Sequence, residues 1–213
     1  MILIGQYDSP FVRRVGIALT LYGHSFEHRP WSTFGDGDKI EPFNPLRRVP
    51  TLVLDNGEII LESAYALDWL DEQARATDET TPLIAASGPE RQKALYYIAL
   101  SMGFSDKAIA LFYEQVLHKE KSAVWLERCQ TQISAVLDVL EKIRVGAKSQ
   151  WLLGGVMTHA DIALACSLRH AREAHPAIDF GQWPALAFHS AQCEQMEVFK
   201  LISQPFTGPK TED

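Results

Sequence analysis

The feature that most constrains this chain is a change of hydrophobic period about a third of the way along its 213 residues. Before residue 77, short strand-like apolar runs alternate with one-sided helical stripes; beyond residue 89 every strong signal is helical. Met1-Ile2-Leu3-Ile4, broken by Gly5-Gln6, reads as a short buried strand. From Pro10, residues Phe11, Val15, Ala18, Leu19 and Tyr22 recur at helical spacing, with Ser9 before the first helical proline and Gly23 as the stop. Residues 25–29 alternate as a second strand, and 31–44 form a Gly- and Asp-rich loop with room for one helical turn. The apolar runs 49–54 and 59–61 meet at Asp55-Asn56-Gly57-Glu58 and predict an antiparallel hairpin, since Asn-Gly accepts positive φ at both turn positions. A helix over 63–74 follows, with Leu67, Leu70 and Ala74 along one side.

A βαβ unit followed by a ββα unit in residues 1–76 makes one α/β layer domain. Residues 77–88 hold Thr, Pro, Ser and Gly without an apolar period and predict a linker. Residues 89–213 predict an all-α domain, with helices over 90–117, 121–145, 158–174 and 184–203. The fold class is therefore α/β plus all-α.

Charge and cysteine usage exclude several functions. The net charge is −7, and the first 80 residues hold thirteen acidic against seven basic residues. A general nucleic-acid binder needs the opposite balance. Two basic pairs, Arg13-Arg14 and Arg47-Arg48, stand out within the acidic portion. Cys129, Cys166 and Cys193 are odd in number and lack CxxC spacing, which predicts reduced thiols in a cytoplasmic protein. No apolar run approaches a membrane span, and the first four residues are too short for a signal peptide. His170 and His175, five apart, do not share a helix face, and there is no HExxH, so no metal site is expected. GxSxG elbows and Gly-rich phosphate loops are also absent from the sequence.

Four short stretches can carry chemistry. Ser9-Pro10 reads first as a helix start. Val49-Pro50 is either an edge-strand proline, which lacks a ladder donor, or a strained or cis bond beside a binding cleft. Glu62-Ser63 lies where the hairpin ends and a helix begins; Ser63 is an N-cap, a donor to a bound carboxylate, or both. Thr158-His159-Ala160-Asp161 fits a capping box with Asp for Glu, a structural device. Tyr96, Tyr97, Phe104, Phe112 and Tyr113 form an aromatic stripe that reads as core, with some of it open to a ligand.

Together, SPFVRRV after the first strand, NPLRRVPTLV at the hairpin, LESAYALDWLDE at the next helix and GGVMTHADIALA in the helical half resemble the cytosolic glutathione transferase superfamily, its bacterial serine-type members in particular. The resemblance spans nearly the whole chain. It implies a thioredoxin-like N-terminal domain, an all-helical C-terminal domain that builds the pocket for a hydrophobic electrophile, glutathione as substrate, and a homodimer. Ser9 matches the position of the thiol-activating serine, with Tyr7 as the rival. Pro50 matches a cis-proline and Val49 the residue whose backbone pairs with the cysteinyl unit of glutathione. Glu62 and Ser63 match the pair that holds its γ-glutamyl end. Arg48 matches a side chain near its glycyl carboxylate, with Arg47 as second candidate, and the resemblance implies that Phe11, two residues after Ser9, also binds glutathione. Thr158 and Asp161 match the family's capping box. The resemblance implies conjugation in detoxification; a glutathione-dependent isomerase or dehalogenase, or a non-catalytic binding or regulatory protein of this fold, are the alternatives. Of Arg13 and Arg14, at most one is expected near the ligand, the other pairing with acidic groups or a dimer partner.

Overall fold

A computed structural model of the chain describes residues 1–77 and 80–209. Residues 78 and 79 of the expected linker, and 210–213, lie outside the described residues. Two compact units emerge: residues 1–84 together with 196–209, and residues 85–195.

The first unit is built on a four-stranded sheet in the order β2-β1-β3-β4. Strand β1 (Ile2–Ile4) leads through a short turn to helix α1 (Pro10–Leu21), which returns the chain to β2 (Glu27–Arg29), parallel to β1. After the single turn α2 (Gly37–Ile40), the hairpin β3 (Thr51–Val53) and β4 (Ile59–Leu61) pairs antiparallel to β1, and helix α3 (Ser63–Arg75) follows. The period of two in Met1-Ile2-Leu3-Ile4 sorts the two faces. Ile2 and Ile4 join Val53 and Ile40 on one side. Leu3, paired with Leu52, faces Gly16 of α1 on the other.

Two local expectations change. At the hairpin only Gly57 takes a positive φ, +86°, so the turn is not the expected one with both central residues left-handed. The Gly57 amide donates to the Leu54 carbonyl, the Leu54 amide to the Glu58 carbonyl, and the Asn56 side chain accepts from the Glu58 amide. That Asn side-chain bond substitutes for a left-handed Asn56. The helix read over 184–203 is two: α7 (Pro184–Glu194) in the second unit, and α8 (Glu197–Leu201) in the first. No Gly or Pro marks the break, since its cause is tertiary: Phe199 and Ile202 are buried in the first unit, and α8 packs against α1.

The second unit is a helical bundle of α4 (Gly88–Leu117), α5 (Ala123–Gly146), α6 (His159–Ala174) and α7. Its core is formed by Phe104, Leu111, Ile133, Leu137, Leu140, Leu164 and Leu168. Helix α6 is buried on nearly every side, and its first turn holds the expected capping box. The Asp161 carboxylate accepts from the Thr158 amide (2.8 Å), the Thr158 hydroxyl (2.9 Å) and the Leu152 amide (2.8 Å). Glu141 of α5 accepts from the first amides of α7, Ala185 and Leu186, at 2.9 Å each, so a carboxylate meets the positive end of a helix there. Of the aromatic stripe, Tyr97 and Phe104 are core, Tyr96 is exposed, and Phe112 and Tyr113 are half-buried. All three cysteines are buried and none is in a disulfide.

Candidate functional site

Strand register assembles one end of the sheet. Ile4 pairs with Thr51, and Thr51 with Leu61, so the end of β1, the start of β3 and the end of β4 lie side by side. The segments that continue from them carry Ser9, Val49-Pro50 and Glu62-Ser63. Chemistry-bearing residues up to 54 positions apart are thereby drawn to one edge.

Ser9 is the N-cap of α1, with Pro10 at the first helical position. Its Oγ accepts from the Val12 amide at 3.5 Å, a long contact, and no described residue receives its O–H. The first turn of α1 holds no acidic residue, so the positive helix end is not neutralised from within. Phe11 sits half-buried in the same turn. Tyr7 is placed differently. Its ring stacks on His28 at 3.8 Å and 8° and packs under Gly16, and burial pushes its hydroxyl up to about 12. A phenol held within packing is less able to serve a ligand than an N-cap hydroxyl with a spare proton.

The Val49–Pro50 peptide is cis. Among the described residues no hydrogen bond reaches the Val49 amide or carbonyl, which leaves an extended-backbone pairing edge open beside Pro50. Two residues hold this loop that sequence reasoning did not single out. Asn44 is buried and its side chain donates to the Arg48 carbonyl (2.9 Å) and accepts from the Leu46 amide (3.0 Å). The Asn44-Pro45 dipeptide, a turn former, is the signal that could have marked it. Gly5, at φ +128°, lies where a Cβ would come 2.5 Å from Val12 and 2.8 Å from Val49. The absence of a side chain there lets α1 and the cis-proline loop meet.

Glu62 has φ +66° and is the N-cap of α3, so Ser63 is the first helical residue and not the cap. The Ser63 hydroxyl accepts from the buried Arg14 guanidinium at 2.7 Å, which leaves its own proton for another acceptor. With a guanidinium behind it and the first amides of α3 beside it, this corner suits an anion. Arg48 reaches the Glu62 carboxylate at 3.4 Å, both side chains being well exposed. Arg47 is occupied elsewhere, bonded to Glu41 and 3.0 Å from Asp38. Arg13 is 2% exposed and donates to the carbonyls of Ile202 (2.8 Å) and Phe199 (2.9 Å). Backbone carbonyls were not among the partners expected for it; the sequence offered no sign that residues near 200 return to α1.

A βαβ–ββα domain with a cis-proline before its third strand, followed in sequence by a helical bundle, defines a thioredoxin-like domain joined to an all-α one. Residues 3–78 match the model of the glutathione S-transferase N-terminal domain, and residues 123–189 that of the C-terminal domain. The chain belongs to the glutathione S-transferase superfamily. A solved glutathione S-transferase from Methylobacterium radiotolerans, in complex with glutathione sulfonate, superposes with a TM-score of 0.89 at 27% identity, covering 100% of this chain and 98% of that one. The GST-like protein YibF of Escherichia coli is 29% identical over 170 residues, 79% of this chain and 80% of YibF. Mouse maleylacetoacetate isomerase is 24% identical over 217 residues, covering 99% of this chain and 94% of the isomerase.

Proposed function

We propose that the protein is a serine-type glutathione transferase: it binds glutathione, holds its sulfur as the thiolate and adds it to a small hydrophobic electrophile, acting as a cytoplasmic homodimer in detoxification. The reading is carried by one observation, the convergence of unspent polar groups at one sheet end: the Ser9 O–H, the open backbone edge of Val49, and the Ser63 O–H backed by Arg14. The family supports glutathione as the ligand, as does the relative described with glutathione sulfonate. Val49 would pair with the cysteinyl backbone, Glu62 and Ser63 with the γ-glutamyl amino and carboxylate groups, and Arg48 with the glycyl carboxylate. The helical unit would supply the electrophile pocket.

The energetic demand is modest. Lowering a thiol from about 8.5 by about two units takes roughly 2.7 kcal/mol of preference for the anion. A hydrogen bond to a charged partner contributes about 1.5 to 3 kcal/mol, and a helix N-terminus about 0.3 to 1. Ser9 and the start of α1 together meet that demand, with the serine remaining protonated as the donor. The thiolate lone pair then forms an S–C bond to the electrophile, whose displaced electron pair leaves with a departing group or takes a proton from water.

Ser9→Ala is expected to lower kcat by about 10- to 100-fold with glutathione affinity within about twofold; Tyr7→Phe leaves the thiolate in place. Unchanged thiolate absorbance of bound glutathione and unchanged turnover in Ser9→Ala would remove Ser9 from this role. A second reading is favoured by the near full-length match to maleylacetoacetate isomerase. There the thiolate adds and is later expelled, so product mass separates the two: a glutathione adduct for the transferase, an isomer of the substrate for the isomerase. Retention on immobilised glutathione with turnover of no electrophile indicates a binding protein instead.

A further inference from the structure

The turn between β1 and α1, which delivers Ser9, is closed by the Ser9 amide donating to the Gln6 carbonyl at 3.2 Å. It is held from outside by residues nearly 200 positions away. The Tyr7 amide donates to the Gln204 side-chain oxygen at 3.3 Å, and the Thr207 amide donates to the Asp8 carboxylate at 2.9 Å. The segment making these bonds is itself anchored, because Arg13 bonds the carbonyls of Phe199 and Ile202 and lies 5.4 Å over the Phe199 ring. It is also stiffened by Pro205. The two residues immediately before Ser9 are thus each tied to one C-terminal strap.

We infer that residues 203–207 are a positioning strap for Ser9, with Gln204 and Thr207 as its positioning residues; the inference rests on the role given to Ser9 above. The strap acts in two ways. It supplies an acceptor to the Tyr7 amide, fixing where the N-cap hydroxyl of the next turn stands. It also gives the Asp8 carboxylate a backbone donor. A carboxylate one residue from Ser9 opposes a neighbouring thiolate, and a donor that holds it and disperses its charge weakens that opposition.

The test is a chain ending at Ser203, which keeps the Arg13 anchors, alongside single variants in the full chain. Truncation should speed hydrogen exchange of the Tyr7 amide at least about tenfold and raise the titration midpoint of bound glutathione by about one unit. Turnover at pH 7 should fall about tenfold and recover at high pH, with glutathione KM within about twofold. Gln204→Ala should reproduce the exchange effect, and Gln204→Glu, which keeps an acceptor oxygen, should restore it. Thr207→Pro removes the donor to Asp8 and should raise the thiolate midpoint; adding Asp8→Asn should bring it back. The other ionisable groups of this end, Tyr7, His28, Arg14, Arg48 and Glu62, are common to every variant. A Ser9-dependent thiolate whose pH profile and turnover survive truncation overturns the strap alone. A full chain with no bound thiolate overturns the reading of Ser9 and the strap's role with it.

Discussion

Replacing Gly5 by alanine should damage fold and site together, and both costs follow from the geometry. At φ +128° an L side chain is strained, at about 1 to 3 kcal/mol. The new methyl would also stand 2.5 Å from Val12 Cγ2 and 2.8 Å from Val49 Cβ. Neither neighbour is a flexible tip: one belongs to the first turns of α1, the other to the cis-proline loop. Overpacking of that kind costs about 1 to 3 kcal/mol, for a total of roughly 4 kcal/mol. In a chain of this size that corresponds to a fall in Tm of about 8 to 16 °C. Gly57→Ala is the matched control, because Gly57 has φ +86° and nothing within 4 Å of a Cβ. It bears the backbone cost alone, about 1 kcal/mol, or roughly 2 to 4 °C. Thermal melts followed by circular dichroism read the stability, and calorimetric titration reads glutathione affinity. The titration should weaken at least about fivefold for Gly5→Ala and stay unchanged for Gly57→Ala. Equal losses of Tm in the two variants would show that the approach of Val12 and Val49 across Gly5 contributes nothing, and the reasoning would fail.

Asp161→Ala should cost about 3 kcal/mol in urea denaturation, since it strands the buried Leu152 amide and the half-buried Thr158 amide, against about 1 kcal/mol for Thr158→Ala. Arg48→Ala should change stability by less than about 1 kcal/mol, because its pairing with Glu62 is exposed, while weakening glutathione binding by titration calorimetry. Burial lowers the imidazoles of His28, His175 and His189, for His189 against the opposing pull of the Asp161 carboxylate. The unfolded chain therefore binds protons more readily. The resulting stability is complete above the unfolded value of about 6.5 and is lost as pH falls below it. Urea midpoints measured from pH 8 to pH 5 should decline; a rise on acidification would contradict this.

Much of the fold was legible because its signals are local. The 2-residue and 3.6-residue periods separated strands from helices, Asn56-Gly57 marked the hairpin, and Thr158 to Asp161 marked the start of α6 through a side-chain bond spanning three residues. Ser9-Pro10 announced a helix start for the same reason. Where a local preference had two outcomes, the surroundings chose. Asn56 did not take the positive φ open to it, and its side chain accepts from the Glu58 amide instead. Ser63 moved inside the helix because Glu62 took the capping position and Arg14 reached its hydroxyl. The end of α7 carried no breaker residue, so nothing in its own sequence announced that Phe199 would be buried against α1.

By itself the sequence determined the succession of strands and helices up to the break within 184–203, and the residue types available for binding an anion and a thiol, since these follow from short-range spacing and side-chain chemistry. Only the tertiary structure decided which of those residues meet. The pairing of Ile4 with Thr51 and of Thr51 with Leu61 set Ser9, Val49 and Ser63 at one edge. Arg13 was assigned to the carbonyls of Phe199 and Ile202 and Arg14 to Ser63 by long-range packing. The physical reason is that a hydrogen bond between residues 49 or 189 positions apart depends on where the intervening chain has been buried, and no local pattern in the two segments carries that information.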